Sequence, residues 1–128
     1  MRIALLTDIH ANREAFEAVL ADIAVKKPDR IVLLGDYVGY GADPTWCVDK
    51  VMELVSQGAV AVMGNHDAAV ENTRDQMTTN AQITLAFTRG ELGAPQREFL
   101  AKLPMEVSEL PMLFVHADAS EPASWNYV

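Results

Sequence analysis

An α/β fold built on a parallel sheet is the architecture this sequence predicts. Apolar runs at Arg2–Thr7, Arg30–Leu34 and Ala59–Met63 alternate with longer stretches whose apolar residues recur at the helical period. The connections between them are short, as in βαβ units joined by right-handed crossovers. Each run also ends on polar, loop-forming residues: Asp8-Ile9-His10, Gly35-Asp36 and Gly64-Asn65-His66-Asp67.

Arg2–Thr7 reads as the first strand. Asn12 is placed to cap a helix with Phe16, Val19, Leu20, Ile23 and Ala24 on one stripe, and Pro28-Asp29 close that region. Ile31-Val32-Leu33-Leu34 has no polar residue, as expected of a strand covered on both faces. It runs into a glycine-rich loop, Gly35 to Gly41, where backbone can take positive φ or approach a ligand closely. Asp43 as N-cap and Pro44 at the first helical position open a second helix with Val48, Val51, Met52 and Val55 as its core stripe, and Gly58 suits its C-terminal end. Ala59–Met63 is the third strand, giving β-α-β-α-β.

From Ala68 to Leu103 the pattern is helical, with Asn80 as a cap, Ile83, Ala86 and Phe87 apolar, and Pro95 opening a short helix through Phe99, Leu100 and Leu103. Met105–Val107 reads as a short strand. Met112–Val115 is another, and it ends on His116.

A chain of 128 residues that is half apolar builds one domain with a real core. No apolar run approaches the roughly 20 residues needed to span a bilayer, and Ile3–Leu6 is too short for a signal-peptide core. A cytoplasmic protein without a membrane partner is expected. Cys47 is the single cysteine and falls in a helical pattern, so it reads as a small core residue. The formal charge of −8 opposes generic nucleic-acid binding, while bound divalent cations would leave an anionic substrate acceptable.

Parallel strands point the same way, so Asp8, His10, Asp36, Asn65 and His66 lie along one edge of the sheet, where open α/β sheets bind ligands. All three histidines, His10, His66 and His116, directly follow a strand-like run. Any one of these residues alone is explained as a turn former or a satisfied polar group. Independent turn preferences do not explain the whole set. Carboxylates and imidazoles without thiolates form a ligand set for Zn²⁺, Mn²⁺ or Fe. Without metal, Asp8 and Asp36 would face like-charge repulsion and desolvation together. With this many donors, two ions bridged by one carboxylate, roughly 3.5–4 Å apart, are more natural than one.

The order Asp8-Ile9-His10, Gly35-Asp36, Gly64-Asn65-His66-Asp67 and Val115-His116 resembles the calcineurin-like metallophosphoesterase family in its small bacterial and archaeal form. The likeness extends to Gly39-Tyr40-Gly41, Asn80, Thr88-Arg89 and Leu103-Pro104. It implies an αββα sandwich, of which residues 1–128 supply the first βαβαβ half and part of the second. It further implies that Asp8 and His10 hold one metal, Asp36 bridges two, Asn65 and His116 hold the other, and His66 contacts the phosphate and assists the leaving oxygen. The implied activity is hydrolysis of a small phosphomonoester or phosphodiester by a metal-bridging hydroxide. Mn²⁺ is the expected ion, with Fe, Zn²⁺ and Ni²⁺ as alternatives. Asp67 has two readings: it orients His66, or it serves the turn that starts a helix.

Protein Ser/Thr phosphatases of this superfamily carry Asp and Arg where this chain has Gly39 and Tyr40, which argues against protein phosphatase activity. Ala11 and Ala117 stand where small relatives usually have glycine, at a cost of about 1–2 kcal/mol wherever φ is positive. The family's final Gly-His-x-His motif is absent from these residues. The resemblance therefore implies a domain incomplete at its C-terminal end, or a second chain or second copy covering the sheet, with weak metal binding by residues 1–128 alone. A scaffold that keeps the fold for protein contacts is the competing function. The retained His66 and ligand positions favour the enzyme.

Overall fold

The computed structural model describes residues 1–73 and 77–127. Strand β1 (Ile3–Leu6) leads through helix α1 (Arg13–Lys26) to β2 (Arg30–Leu33), then through α2 (Pro44–Ser56) to β3 (Val60–Ala61). All three strands are parallel and lie in the order β1-β2-β3, with Leu5 opposite Val32 and Leu33 opposite Ala61. A short helix α3 (Asn65–Ala69) follows, then α4 (Thr79–Glu91) and α5 (Ala94–Ala101). Finally β4 (Glu106–Glu109) and β5 (Met112–Val115) form a separate antiparallel hairpin.

The central strand explains the layering. Leu33 packs with Phe16 of α1, Cys47, Val48 and Val51 of α2, and Leu85 and Leu100 of α4 and α5. Its neighbour Val32 packs instead with Val60, Val62 and Phe114 of the hairpin. Successive strand residues face opposite sides, so helices cover one face of the parallel sheet and the hairpin covers the other. Three layers of an αββα sandwich result. Both Val32 and Leu33 have no exposed surface, as the unbroken apolar run requires.

Local chemistry fixes the ends. The Asn12 side chain accepts from the Ala15 N–H at 3.1 Å, satisfying one of the open donors of α1. Lys27 takes a left-handed conformation that stops the helix. Pro44 sits in the first turn of α2, where its missing N–H is harmless. Arg89 closes α3 from outside by donating to the carbonyls of Ala69 and Val70.

Several expectations need correction. The cap of α4 is Thr78, whose hydroxyl accepts from the Ala81 N–H; Asn80 lies inside the helix. Asp43 occupies the N-cap position of α2 without a side-chain cap bond. The third strand is only two residues long, although the Val62 N–H still donates to the Leu33 carbonyl. The helical stretch from Ala68 to Leu103 holds the end of α3 and all of α4 and α5, with α5 opening around Pro95 as expected, and residues 74–76 of that stretch lie outside the described residues. In α1, Val19 is 43% exposed beside Leu5 at 61%, so this part of the predicted stripe is not covered by described residues.

Cys47 is buried in the core, and burial, followed by the charge of Asp43, pushes its thiol up to about 12. Almost no thiolate exists at neutral pH, and the thiolate is the nucleophile. Cys47 is expected to resist alkylation by iodoacetamide at pH 8 in the folded protein and to react fully in 6 M guanidinium, roughly as a free thiol does. Mass spectrometry reads both states, and rapid labelling of the folded protein would refute its burial.

Candidate metal centre

The loops after the strands are laced to one another. The Asp8 N–H donates to the Gly35 carbonyl, His10 to Asp36 and Ala11 to Tyr37, which prolongs the β1–β2 pairing into the loops. Six residues here hold positive φ without being glycine: Asp8, His10, Ala11, Asp36, Tyr40 and Trp125. Each such residue costs on the order of 1 kcal/mol or more. The strain falls where the chemistry-bearing side chains are, and the loop hydrogen bonds and core packing hold it. Of the two alanines at glycine positions, Ala11 stands in the left-handed region, at φ 52°, and Ala117 does not. For Ala11→Gly, relief of about 1–2 kcal/mol of strain is offset by roughly 0.8 kcal/mol of lost methyl burial.

Asp36 is the hub. It is 3% exposed, and its Oδ1 accepts from the His66 backbone N–H at 2.9 Å. Its Oδ2 faces three imidazoles, with His116 Nε2 at 3.5 Å, His10 Nε2 at 3.6 Å and His66 Nε2 at 4.0 Å. His10 Nδ1 lies 2.9 Å from the Val38 carbonyl and His116 Nδ1 lies 2.6 Å from the Leu34 carbonyl. With Nδ1–H donating to a carbonyl, each ring presents the Nε2 lone pair inward, the orientation a metal-binding histidine needs.

Two donor groups form, His10-Asp36-His66 and Asp8-Asp36-His116, each with ligand atoms within 4.8 Å of one another. Asp36 belongs to both. Asp8 Oδ1 also stands 3.5 Å from His10 Nε2, so Asp8 reaches both groups. Asn65 lies against the second group, its side-chain amide 3.1 Å from His116 Nε2 and, with the nitrogen turned inward, 3.1 Å from Asp36 Oδ2.

These separations test the fit of a cation. The carboxylate–imidazole distances of 3.5 to 4.0 Å are too long for good hydrogen bonds, yet two ligands of one ion, each about 2.0–2.2 Å from it, stand this far apart. A buried carboxylate ringed by inward-facing imidazole lone pairs fits divalent metal.

Charge follows the same geometry. Burial holds His66 below the usual imidazole range, and the neighbouring His10 and His116 reinforce it against Asp36. For His116, burial works against the charged form but is outweighed by Asp36 and the Leu34 carbonyl, raising it to about 9 in the metal-free protein. Metal at this position would have to displace that proton.

His66 Nδ1 is buried without a hydrogen-bond partner and faces Gly39, where an added Cβ would stand 2.4 Å from it. Gly39 also has φ +87°. Gly39→Ala therefore combines a left-handed alanine with a clash, and is expected to lower stability by about 2–3 kcal/mol and to displace His66. Urea unfolding measures the first effect; an unchanged midpoint would show that the loop yields freely.

Asp67 makes the contacts of the turn. Oδ2 accepts from the Asp36 N–H at 2.8 Å and the Gly64 N–H at 2.9 Å, and Oδ1 accepts from the Tyr37 N–H at 2.9 Å. Burial first, then the charge of Asp36, raises its carboxyl to about 7 despite these donors. Asp67 thus ties the Asp36 loop to the start of α3 through backbone.

Sequence reasoning missed the parts played by three aromatic residues. Tyr37 has no exposed surface, and its hydroxyl lies 2.9 and 2.8 Å from the carbonyls of Leu33 and Val62, bracing the ends of two strands. Tyr40 stands edge-on to His10 and tilted at 50° to His66, and Trp125 stands edge-on to His116. Positive φ at a bulky residue leaves no mark in sequence.

The layered sheet and the donor cluster at its carboxyl edge define an α/β protein with a candidate metal centre. Residues 1–125 match the calcineurin-like phosphoesterase family model, and the chain belongs to that family. It is 35% identical over 132 residues to the uncharacterized protein MJ0912 of Methanocaldococcus jannaschii, covering 98% of this chain and 53% of that protein. The crystal structure of a metallophosphoesterase from Sphaerobacter thermophilus matches with a TM-score of 0.83 and 35% identity, over 100% of this chain and 51% of that one. The hypothetical protein PH1004 of Pyrococcus horikoshii shares the fold, with a TM-score of 0.77 at 22% identity over 84% of this chain and 50% of its own. The chain spans about half the length of these relatives. Among the described residues no helix is long and apolar enough to cross a membrane.

Proposed function

We propose that the protein of which these residues form part is a dinuclear metal-dependent phosphoesterase acting on a small phosphomonoester or phosphodiester. The observation that carries this reading is the sharing of Asp36 between both donor groups. Asp8, His10 and Asp36 would hold one ion, and Asp36, Asn65 and His116 the other. Mn²⁺ suits this oxygen and nitrogen set, as do Fe, Zn²⁺ and Ni²⁺. When bound, two such ions supply charge neutralisation at the phosphoryl oxygens and lower the pKa of a shared water toward roughly 7.

The chain's own residues do the rest. The Val38 and Leu34 carbonyls fix the tautomers of His10 and His116. His66 is buried, its Nδ1 has no hydrogen-bond partner among the described residues, and it would assist the leaving oxygen as the proton donor. Asp67 positions it indirectly, by fixing the Gly64 and Asp36 backbone on either side. A cytoplasmic location and a second copy or further chain over the Leu5 and Val19 surface belong to the same reading.

The test uses the full-length gene product with bis(p-nitrophenyl) phosphate and p-nitrophenyl phosphate, with and without added Mn²⁺. Turnover of at least one ester, abolished by chelator and restored by metal at two ions per chain, is the expected result. Absence of metal-dependent turnover on both esters overturns the proposal.

A further inference from the structure

The loop after Asp36 places one side chain that the metal chemistry does not use. Gly39 packs its Cα against the His66 ring, and Gly41 is pressed against His10, where an added Cβ would stand 2.2 Å from the His10 carbonyl oxygen. Backbone clamped at both glycines holds the residue between them over the two imidazoles. That residue is Tyr40. Its ring centroid lies 4.9 Å from His10 and 4.9 Å from His66. It takes φ 62°, and its N–H donates to Thr84 Oγ1 of α4 at 3.1 Å. It nevertheless remains 49% exposed.

Left-handed backbone is an outlier for a bulky side chain, and such strain clusters where a side chain must be aimed. A tyrosine needed only for packing would be covered. Here one part of the ring meets the His10 and His66 imidazoles of the donor cluster and the rest meets solvent. A substrate whose leaving oxygen lies at His66 brings its substituent near this ring, whose centroid is 4.9 Å from that of His66. A phenol offers a flat π surface, which rewards an aromatic substituent over an aliphatic one of similar polarity.

We infer that Tyr40 is a specificity-determining residue that stacks on an aromatic ring attached to the leaving oxygen, so that the site favours aryl over alkyl phosphate esters. The inference rests on the phosphoesterase reading above for the location of the leaving group.

The experiment compares Tyr40→Phe and Tyr40→Leu with the parent in the Mn²⁺-loaded full-length protein. Calorimetry gives dissociation constants for phenylphosphonate and ethylphosphonate, neither of which can be hydrolysed at the P–C bond, and the affinity ratio is the readout. Tyr40→Leu is expected to lower the phenyl-to-ethyl ratio about fivefold, and Tyr40→Phe to leave it within twofold. A ratio unchanged in Tyr40→Leu overturns the inference, whether or not both affinities fall together. Failure of the parent to hydrolyse any ester would instead count against the phosphoesterase reading, while the phosphonate ratio would still report on Tyr40.

Discussion

Asp36→Asn is expected to lose both ions and to reduce kcat/KM by on the order of 10³-fold or more, whereas His116→Ala loses roughly 10²-fold. The difference follows from position. His116 belongs to one donor group and Asp36 to both. The substitution is close to isosteric, and the remaining oxygen keeps the 2.9 Å bond from the His66 N–H, so the fold should survive. What disappears is the negative charge that faces three imidazoles. An amide nitrogen in its place cannot ligate a cation, since it has no free lone pair in the required direction. Metal content by elemental analysis of the full-length variant, alongside turnover, separates loss of ions from loss of geometry. A variant holding two ions per chain with activity within tenfold of the parent would show that Asp36 does not bridge.

The parts of this arrangement that were legible in the sequence are those set by periodicity and topology. Ile31 to Leu34 announced a strand buried on both faces, and Val32 and Leu33 contact separate core clusters as that requires. Parallel strand direction sufficed to bring Asp8, His10, Asp36 and His66 together, because chain direction alone places strand ends on one edge. His116 joined them from the hairpin without any such rule, marked by the pattern of a histidine after an apolar run and by the family resemblance. The cap of α4 was ambiguous because Thr78, Thr79 and Asn80 are all capping residues in succession. Of the six left-handed residues at the site only Ala11 was flagged, by standing where relatives have glycine; the rest were illegible, since Asp, His, Tyr and Trp do not demand that conformation. Tyr37 was invisible for a related reason: a buried loop residue has no period, and its partners Leu33 and Val62 are backbone carbonyls.

Asp67 offers the sharpest separation of a structural role from a chemical one. Its carboxylate is 2% exposed and satisfies three buried N–H groups from two different loops. Asp67→Ala would orphan all three. Each unsatisfied buried donor costs about 1–3 kcal/mol, partly recovered because removing Asp67 relieves its repulsion with Asp36. The net expected loss is roughly 3–5 kcal/mol, a large share of the 5–15 kcal/mol that holds a domain together. Asp67→Asn should be milder. Its oxygen can keep the Asp36 and Gly64 bonds and oppose only the Tyr37 N–H with its amide, for a loss of about 1–2 kcal/mol. Turnover per folded molecule should fall far less in Asp67→Asn than in His66→Ala, because Asp67 reaches the chemistry only through backbone. Denaturant titration with m-values, combined with turnover normalised to folded protein, tests both statements. If Asp67→Asn abolishes turnover while its unfolding midpoint stays at the parent value, Asp67 acts on His66 chemically and the purely structural account fails.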